Sequence, residues 1–136
     1  MSRDFLTAWD EFYREVDDVA VTLGLYPISG DTQHVSLGMP LRPQIGQPQG
    51  WFSAPALFGA ADVAGTWLAM LNCDDGAFPL AVQSSVNLLN NGDFPEVVAR
   101  AELVRAGRTL VVTTTRVSAG EVLLATATTT YIVPRT

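Results

Sequence analysis

The chain has 136 residues, 48% hydrophobic and 16% charged, which excludes a disordered polypeptide and suits one domain with a real core. Its net charge of −6 argues against general nucleic-acid binding, which needs a basic footprint. The single Cys73 excludes an internal disulfide and a CxxC metal pair, and no apolar run is expected to reach the length of a membrane span.

Phe5, Trp9, Phe12, Val16 and Leu23 recur at helical spacing, with Asp10, Glu11, Arg14, Asp17 and Asp18 on the other side. The spacing predicts one amphipathic helix from about Arg3 to Leu23, with Ser2 as N-cap and the aromatic stripe as a packing face. This acidic, amphipathic start does not fit a secretory signal, so a cytoplasmic location is expected. Gly24 and Pro27 end the helix, and Ser29-Gly30-Asp31 reads as a turn. Thr32 to Met39 can form a strand. It carries His34, the only histidine, and with no second His and no Cys cluster no zinc site is expected.

Pro40 to Phe52, rich in Pro, Gly and Gln, reads as an irregular loop of a length that is often functional. Pro55 to Asn72 (PALFGAADVAGTWLAMLN) is apolar or small nearly all the way round, which marks a buried helix. Ser53 can cap it, Pro55 suits its first turn, and Asn72 to Gly76 ends it. Asp62 sits in its middle with Thr66 four residues on, so both share one helix face. A buried carboxylate with no cationic neighbour in its own segment is costly unless it is paired. That makes this face the leading candidate site.

Pro79 to Leu89 reads as a strand and Asn90-Asn91-Gly92-Asp93 as a strong turn. Glu96 to Arg105, Arg108 to Ser118 and Glu121 to Val133 are strands rich in Val, Thr and alternating apolar residues, separated by Ala106-Gly107 and Ala119-Gly120. Short consecutive turns predict an antiparallel meander. The expected architecture is α+β: an antiparallel sheet wrapped around a long central helix, with an extra N-terminal helix. All eight basic residues are arginine, and Arg100, Arg105, Arg108 and Arg116 fall close together. Such a patch can hold a phosphorylated ligand, and solvated strand and turn arginines explain it equally well.

From about Thr32 to Val133 the chain resembles the hotdog-fold acyl-CoA thioesterases, in particular the phenylacetate-pathway and 4-hydroxybenzoyl-CoA group. The likeness is carried by ALFGAADVAG, VNLLNNGD and ELVRAGRTL. It implies a single hotdog domain over residues 1–136, with the N-terminal helix in 1–24 and the hotdog core in 32–133. It also implies thioester hydrolysis, with Asp62 as nucleophile or general base. Gln47, fifteen residues earlier, falls where the family contacts the thioester or attacking water. The N–H of Ala54, eight residues before the acid, falls where the family polarises the carbonyl, and Thr66 falls on a Thr that some members carry. The family often begins the helix His-Gly-Gly where this chain has Ser53-Ala54-Pro55, and has Ser or Thr where it has Ala81.

The resemblance further implies coenzyme A as part of the substrate, no separate cofactor, and no nucleic-acid or membrane partner. Ser53, Phe58, Ala81, Arg105 and Arg108 are the expected substrate contacts, although core packing explains Phe58 equally well. Asp62 and Ala54 lie about 12 Å apart at 1.5 Å per residue, too far to serve one carbonyl carbon from one helix. A site shared across a homodimer follows, and the family often pairs dimers into tetramers. The alternative is a non-catalytic acyl-CoA-binding protein of the same fold.

Overall fold

The computed structural model describes residues 4–74 and 77–134. The predicted Ser2 cap, the Arg3 helix start and the last two residues of the Asn72–Gly76 helix stop lie outside them.

The N-terminal segment forms two helices rather than one, α1 (Phe5–Glu15) and α2 (Val19–Thr22). Asp4 caps α1, its side chain accepting from the Thr7 N–H at 3.3 Å. Val16 is extended, and Asp18 restarts the helix by accepting from the Ala20 N–H at 2.9 Å. Aspartate competes for backbone donors, which favours a cap over a helix interior. The hydrophobic periodicity runs through this break and does not register it. The aromatic stripe does pack: Phe5 and Trp9 are buried, and their rings stand against Trp67 of the central helix.

Six strands follow in one antiparallel sheet: β1 (Tyr26–Gly30), β2 (His34–Pro40), β3 (Leu80–Leu88), β4 (Glu96–Ala106), β5 (Leu110–Ala119) and β6 (Val122–Ile132). Their order across the sheet is β1-β2-β4-β5-β6-β3. The sequence reading misses β1, placing a turn at Ser29-Gly30-Asp31. Pro27 and Gly30 are strand-poor residues, but an edge strand tolerates them, and β1 is an edge. The turn lies one step later, where the Asp31 carboxylate accepts from the N–H groups of Gln33 (2.8 Å) and His34 (3.0 Å).

The simple meander is also corrected. β4, β5 and β6 are consecutive neighbours, but β3 pairs with β6, not with β4. β2 already occupies the outer edge of β4. Asn90 to Asp93 therefore belongs to a crossing connection rather than a hairpin, and Asn91 Nδ2 anchors it by donating to the Phe52 carbonyl at 2.7 Å.

The central helix, α3 (Ala54–Leu71), lies across the inner face of this sheet. Ser53 caps it, its Oγ accepting from the Ala56 N–H at 3.2 Å, and Pro55 occupies the first turn. Small residues on its inner side (Ala60, Ala61, Ala64 and Gly65) let the sheet approach closely. Leu57 and Leu68 fill the space against Val35, Leu37, Val97, Val117 and Leu124. Burying each such side chain stabilises the fold by about 1.5–3 kcal/mol. By length and a mean hydropathy of 1.3, α3 meets the minimum for a membrane span, contrary to expectation, but 56% of it is buried in the fold as a core helix.

Candidate active site

Asp62 and Thr66 lie on one flank of α3, and both are half-buried. The flank faces a cavity of about 200 Å³. The cavity is lined by Phe12 and Tyr13 of α1, Asp18 and Val19 at the start of α2, Trp67 and Met70 of α3, and Phe78 to Ala81, which run into the start of β3 at Leu80. The predicted Asp62, Thr66 and Ala81 thus converge on one cavity. Phe58 is one turn before Asp62 and 37% exposed, outside the cavity lining.

The Asp62 carboxylate accepts no hydrogen bond from the described residues, and burial alone pushes its pKa up. Thr66, the nearest hydroxyl on its own helix face, donates elsewhere, to the hydroxyl oxygen of Tyr131 at 3.5 Å. The carboxylate therefore keeps its acceptor sites for whatever enters the cavity.

Gln47, Ser53 and Ala54 form a second group at the N-terminal end of α3. In its first turn the Ala56 N–H is bonded to Ser53 Oγ, the Leu57 N–H to the Ser53 carbonyl, and Pro55 has none. Ala54 carries the first-turn N–H left without a protein acceptor among the described residues, at the positive end of the helix dipole. Gln47 sits in a tight turn whose side chain folds back on its own loop, Nε2 donating to Gln49 Oε1 at 3.1 Å. None of these three residues lines the Asp62 cavity.

Arg105 and Arg108 are exposed at the β4–β5 turn, away from the cavity lining. Arg100 and Arg116 face each other across β4 and β5, and Arg100 also contacts Glu102 and Ser36. Among the described residues no group of three or more His, Cys, Asp or Glu side chains is placed to hold a metal ion.

Two residues of the site escape sequence reasoning as anything but core. Tyr13 receives the indole N–H of Trp67 at 3.2 Å. Tyr131, on β6, donates its O–H to the main-chain oxygen of Asp62 at 3.3 Å. Burial chiefly pushes both phenols up to about 12, so both are neutral at any working pH.

A family model for the thioesterase superfamily matches residues 50–130, which hold α3 and most of the sheet. A thioesterase family protein from Silicibacter pomeroyi is 32% identical, with 92% of this chain and 93% of that one covered and a TM-score of 0.84. A thioesterase from Haemophilus influenzae shares the fold at 19% identity, covering 96% and 90% of the two chains with a TM-score of 0.86. A phenylacetic acid degradation-related protein from Ralstonia eutropha does so at 22% identity, covering 95% and 99% with a TM-score of 0.84. No curated protein sequence is a significant match. The chain belongs to the thioesterase superfamily and has its hotdog fold, an architecture of thioester hydrolases.

Proposed function

We propose that the protein hydrolyses an acyl-CoA to the free acid and coenzyme A, with Asp62 as the group that delivers water or attacks the thioester carbonyl. The observation that carries this is the half-buried, unpartnered Asp62 carboxylate facing a cavity walled by apolar and aromatic side chains. Such a carboxylate is poised for general-base or nucleophilic work and has no structural partner to explain its burial.

The oxyanion that develops on the carbonyl needs a fixed donor, and the free Ala54 N–H at a helix N-terminus is of that kind. Asp62 and Ala54 are about 12 Å apart along α3, so one carbonyl meets the Asp62 of one subunit and the Ala54 of another. Support for a homodimer comes from β3, which pairs with β6 on one side only and exposes Leu80, Val82, Val86 and Leu88. In that arrangement Gln47 and Ser53 accompany Ala54 to the partner's site, and Phe58 and Ala81 border the acyl group. Arg105 and Arg108 supply charge for the phosphates of coenzyme A. Dimers pairing into a tetramer, and a cytoplasmic location, belong to the same reading.

The test is steady-state hydrolysis of an acyl-CoA panel by the wild type and Asp62→Ala. The expected result is turnover that Asp62→Ala abolishes. Turnover surviving in Asp62→Ala overturns the role of Asp62. Tight binding of an acyl-CoA by the wild type without turnover replaces the enzyme by a binding protein.

A further inference from the structure

Beneath the turn of α3 that carries Asp62, the inner face of the sheet presents a buried phenol. Tyr131 has no solvent exposure. Its ring reaches the helix because position 65 is glycine: a Cβ there would stand 2.5 Å from the Tyr131 oxygen and 2.8 Å from Thr113 Oγ1. The single phenolic proton goes to the Asp62 carbonyl at 3.3 Å, and the phenolic oxygen accepts from Thr66 Oγ1 at 3.5 Å.

That direction has a consequence for Thr66. A hydroxyl has one proton and two lone pairs. With its proton committed to Tyr131 below, Thr66 offers only lone pairs to the cavity. The ionised Asp62 carboxylate, four residues earlier on the same face, also only accepts. A water held between the two gives one proton to each. Its lone pairs are then left for the carbonyl carbon of a thioester.

We propose that Tyr131 is a positioning residue: it fixes Thr66 as an acceptor, so that Asp62 and Thr66 together orient the attacking water, with Asp62 acting as general base. This rests on the thioester-hydrolase reading and chooses between its two roles for Asp62. In the step, the water oxygen bonds to the carbonyl carbon and its proton passes to Asp62. The C–S bond then breaks, and the departing thiolate recovers a proton, giving acid and thiol. The titratable groups facing Asp62 are few: Tyr131 on β6, Tyr13 on α1 and Asp18 ahead of α2. The residues at the start of β3 and just before it that line the cavity, Phe78 to Ala81, are uncharged.

The test uses the full chain with an acyl-CoA that the wild type turns over. Tyr131→Phe keeps the ring and removes the oxygen, which frees the Thr66 proton to turn onto Asp62. A hydrogen bond to the charged carboxylate favours ionisation. The expected result is a kcat about ten- to a hundredfold lower with KM little changed, and an acid limb of the kcat–pH profile moved to lower pH. Thr66→Val removes the acceptor and lowers kcat similarly, Thr66→Ser restores it, and Tyr131→Phe added to Thr66→Val costs no further activity. Wild-type kcat and an unmoved acid limb in Tyr131→Phe overturn the proposal and leave the enzyme reading intact, as do independent, multiplying losses in the double variant. Should Tyr131→Phe fail to fold, the Thr66 pair decides: equal kcat in Thr66→Val and Thr66→Ser overturns the proposal. A wild type inactive on every acyl-CoA overturns the enzyme reading and this proposal with it.

Discussion

The indole N–H of Trp67 donates to the phenolic oxygen of Tyr13 at 3.2 Å, tying α1 to the helix that carries Asp62. Around that bond Phe5, Trp9 and Phe12 set their rings against Trp67 at centroid distances of 5.6, 5.2 and 5.3 Å. The N-terminal segment, outside the stretch that matches the family model, thus supplies part of the lining of the Asp62 cavity.

The cluster makes a stability prediction. Trp67 is buried, and its truncation empties the centre of the aromatic group. Trp67→Ala is expected to cost about 3–5 kcal/mol in urea unfolding. Tyr13→Phe leaves the ring but orphans the indole N–H, and is expected to cost about 1–3 kcal/mol. Equal, near-zero effects would mean that α1 is only loosely attached.

The raised pKa of Asp62 makes a prediction with a definite sign. Burial is its cause, so the folded state holds the proton more tightly than the unfolded chain does. That contribution to stability is full below the unfolded pKa and is lost as pH rises through the folded value. Asp62→Asn should therefore melt at a higher temperature than the wild type near neutral pH, and the gain should shrink as pH falls through the raised folded pKa and vanish below about pH 4, near the ordinary Asp value. In the active wild type, kcat/KM should fall on the acid side through an apparent pKa above that value. Melting curves against pH and a pH–rate profile check both halves. A gain that grows on acidification contradicts the sign.

What the sequence makes legible follows from how local each signal is. The Ser53 cap, Pro55 and the all-round apolar face define α3 to within a residue, because cap and periodicity lie inside the segment itself. The Thr- and Val-rich strands are likewise legible one by one. The partner of β3 is not, since pairing with β6 joins Ser84 to Thr129, 45 residues apart, while the Asn-Gly signal between β3 and β4 mimics a hairpin. The site divides in the same way. Asp62 and Thr66 stand out as polar residues on an apolar helix, and their spacing gives them a common face. Tyr131 lies 65 residues from Thr66 in a strand of threonines, and nothing local tells its hydroxyl from that of any buried tyrosine.

The Ala54 N–H is open to a substitution that removes little else. Ser53 is extended, with φ −73° and ψ 153°, a backbone that accepts a following proline. Ala54 is the first helical residue, where a missing N–H breaks no helix hydrogen bond. Ala54→Pro should thus leave the fold and melting temperature nearly unchanged. If this N–H is the oxyanion donor, kcat should fall roughly a hundredfold or more. Full activity in a folded Ala54→Pro protein removes Ala54 from the mechanism.

The free edge of β3 decides whether the site is complete in one subunit. Nine residues from Leu80 to Leu88 offer an unpaired row of backbone groups, flanked by exposed Leu80, Val82, Val86 and Leu88. An edge of this kind invites pairing with a second strand, and a lysine placed on it is a device that sheets use to prevent such pairing. If this edge forms the proposed dimer, Val86→Lys is expected to shift the protein from dimer to monomer in size-exclusion chromatography with light scattering. If Ala54 and Asp62 act on one carbonyl from different subunits, activity should be lost in step with the dimer and return at protein concentrations that restore it. A wild type that is monomeric and turns over substrate at its full rate would rule out the shared site, and Ala54 would have to be replaced as the oxyanion donor by a group of the same subunit.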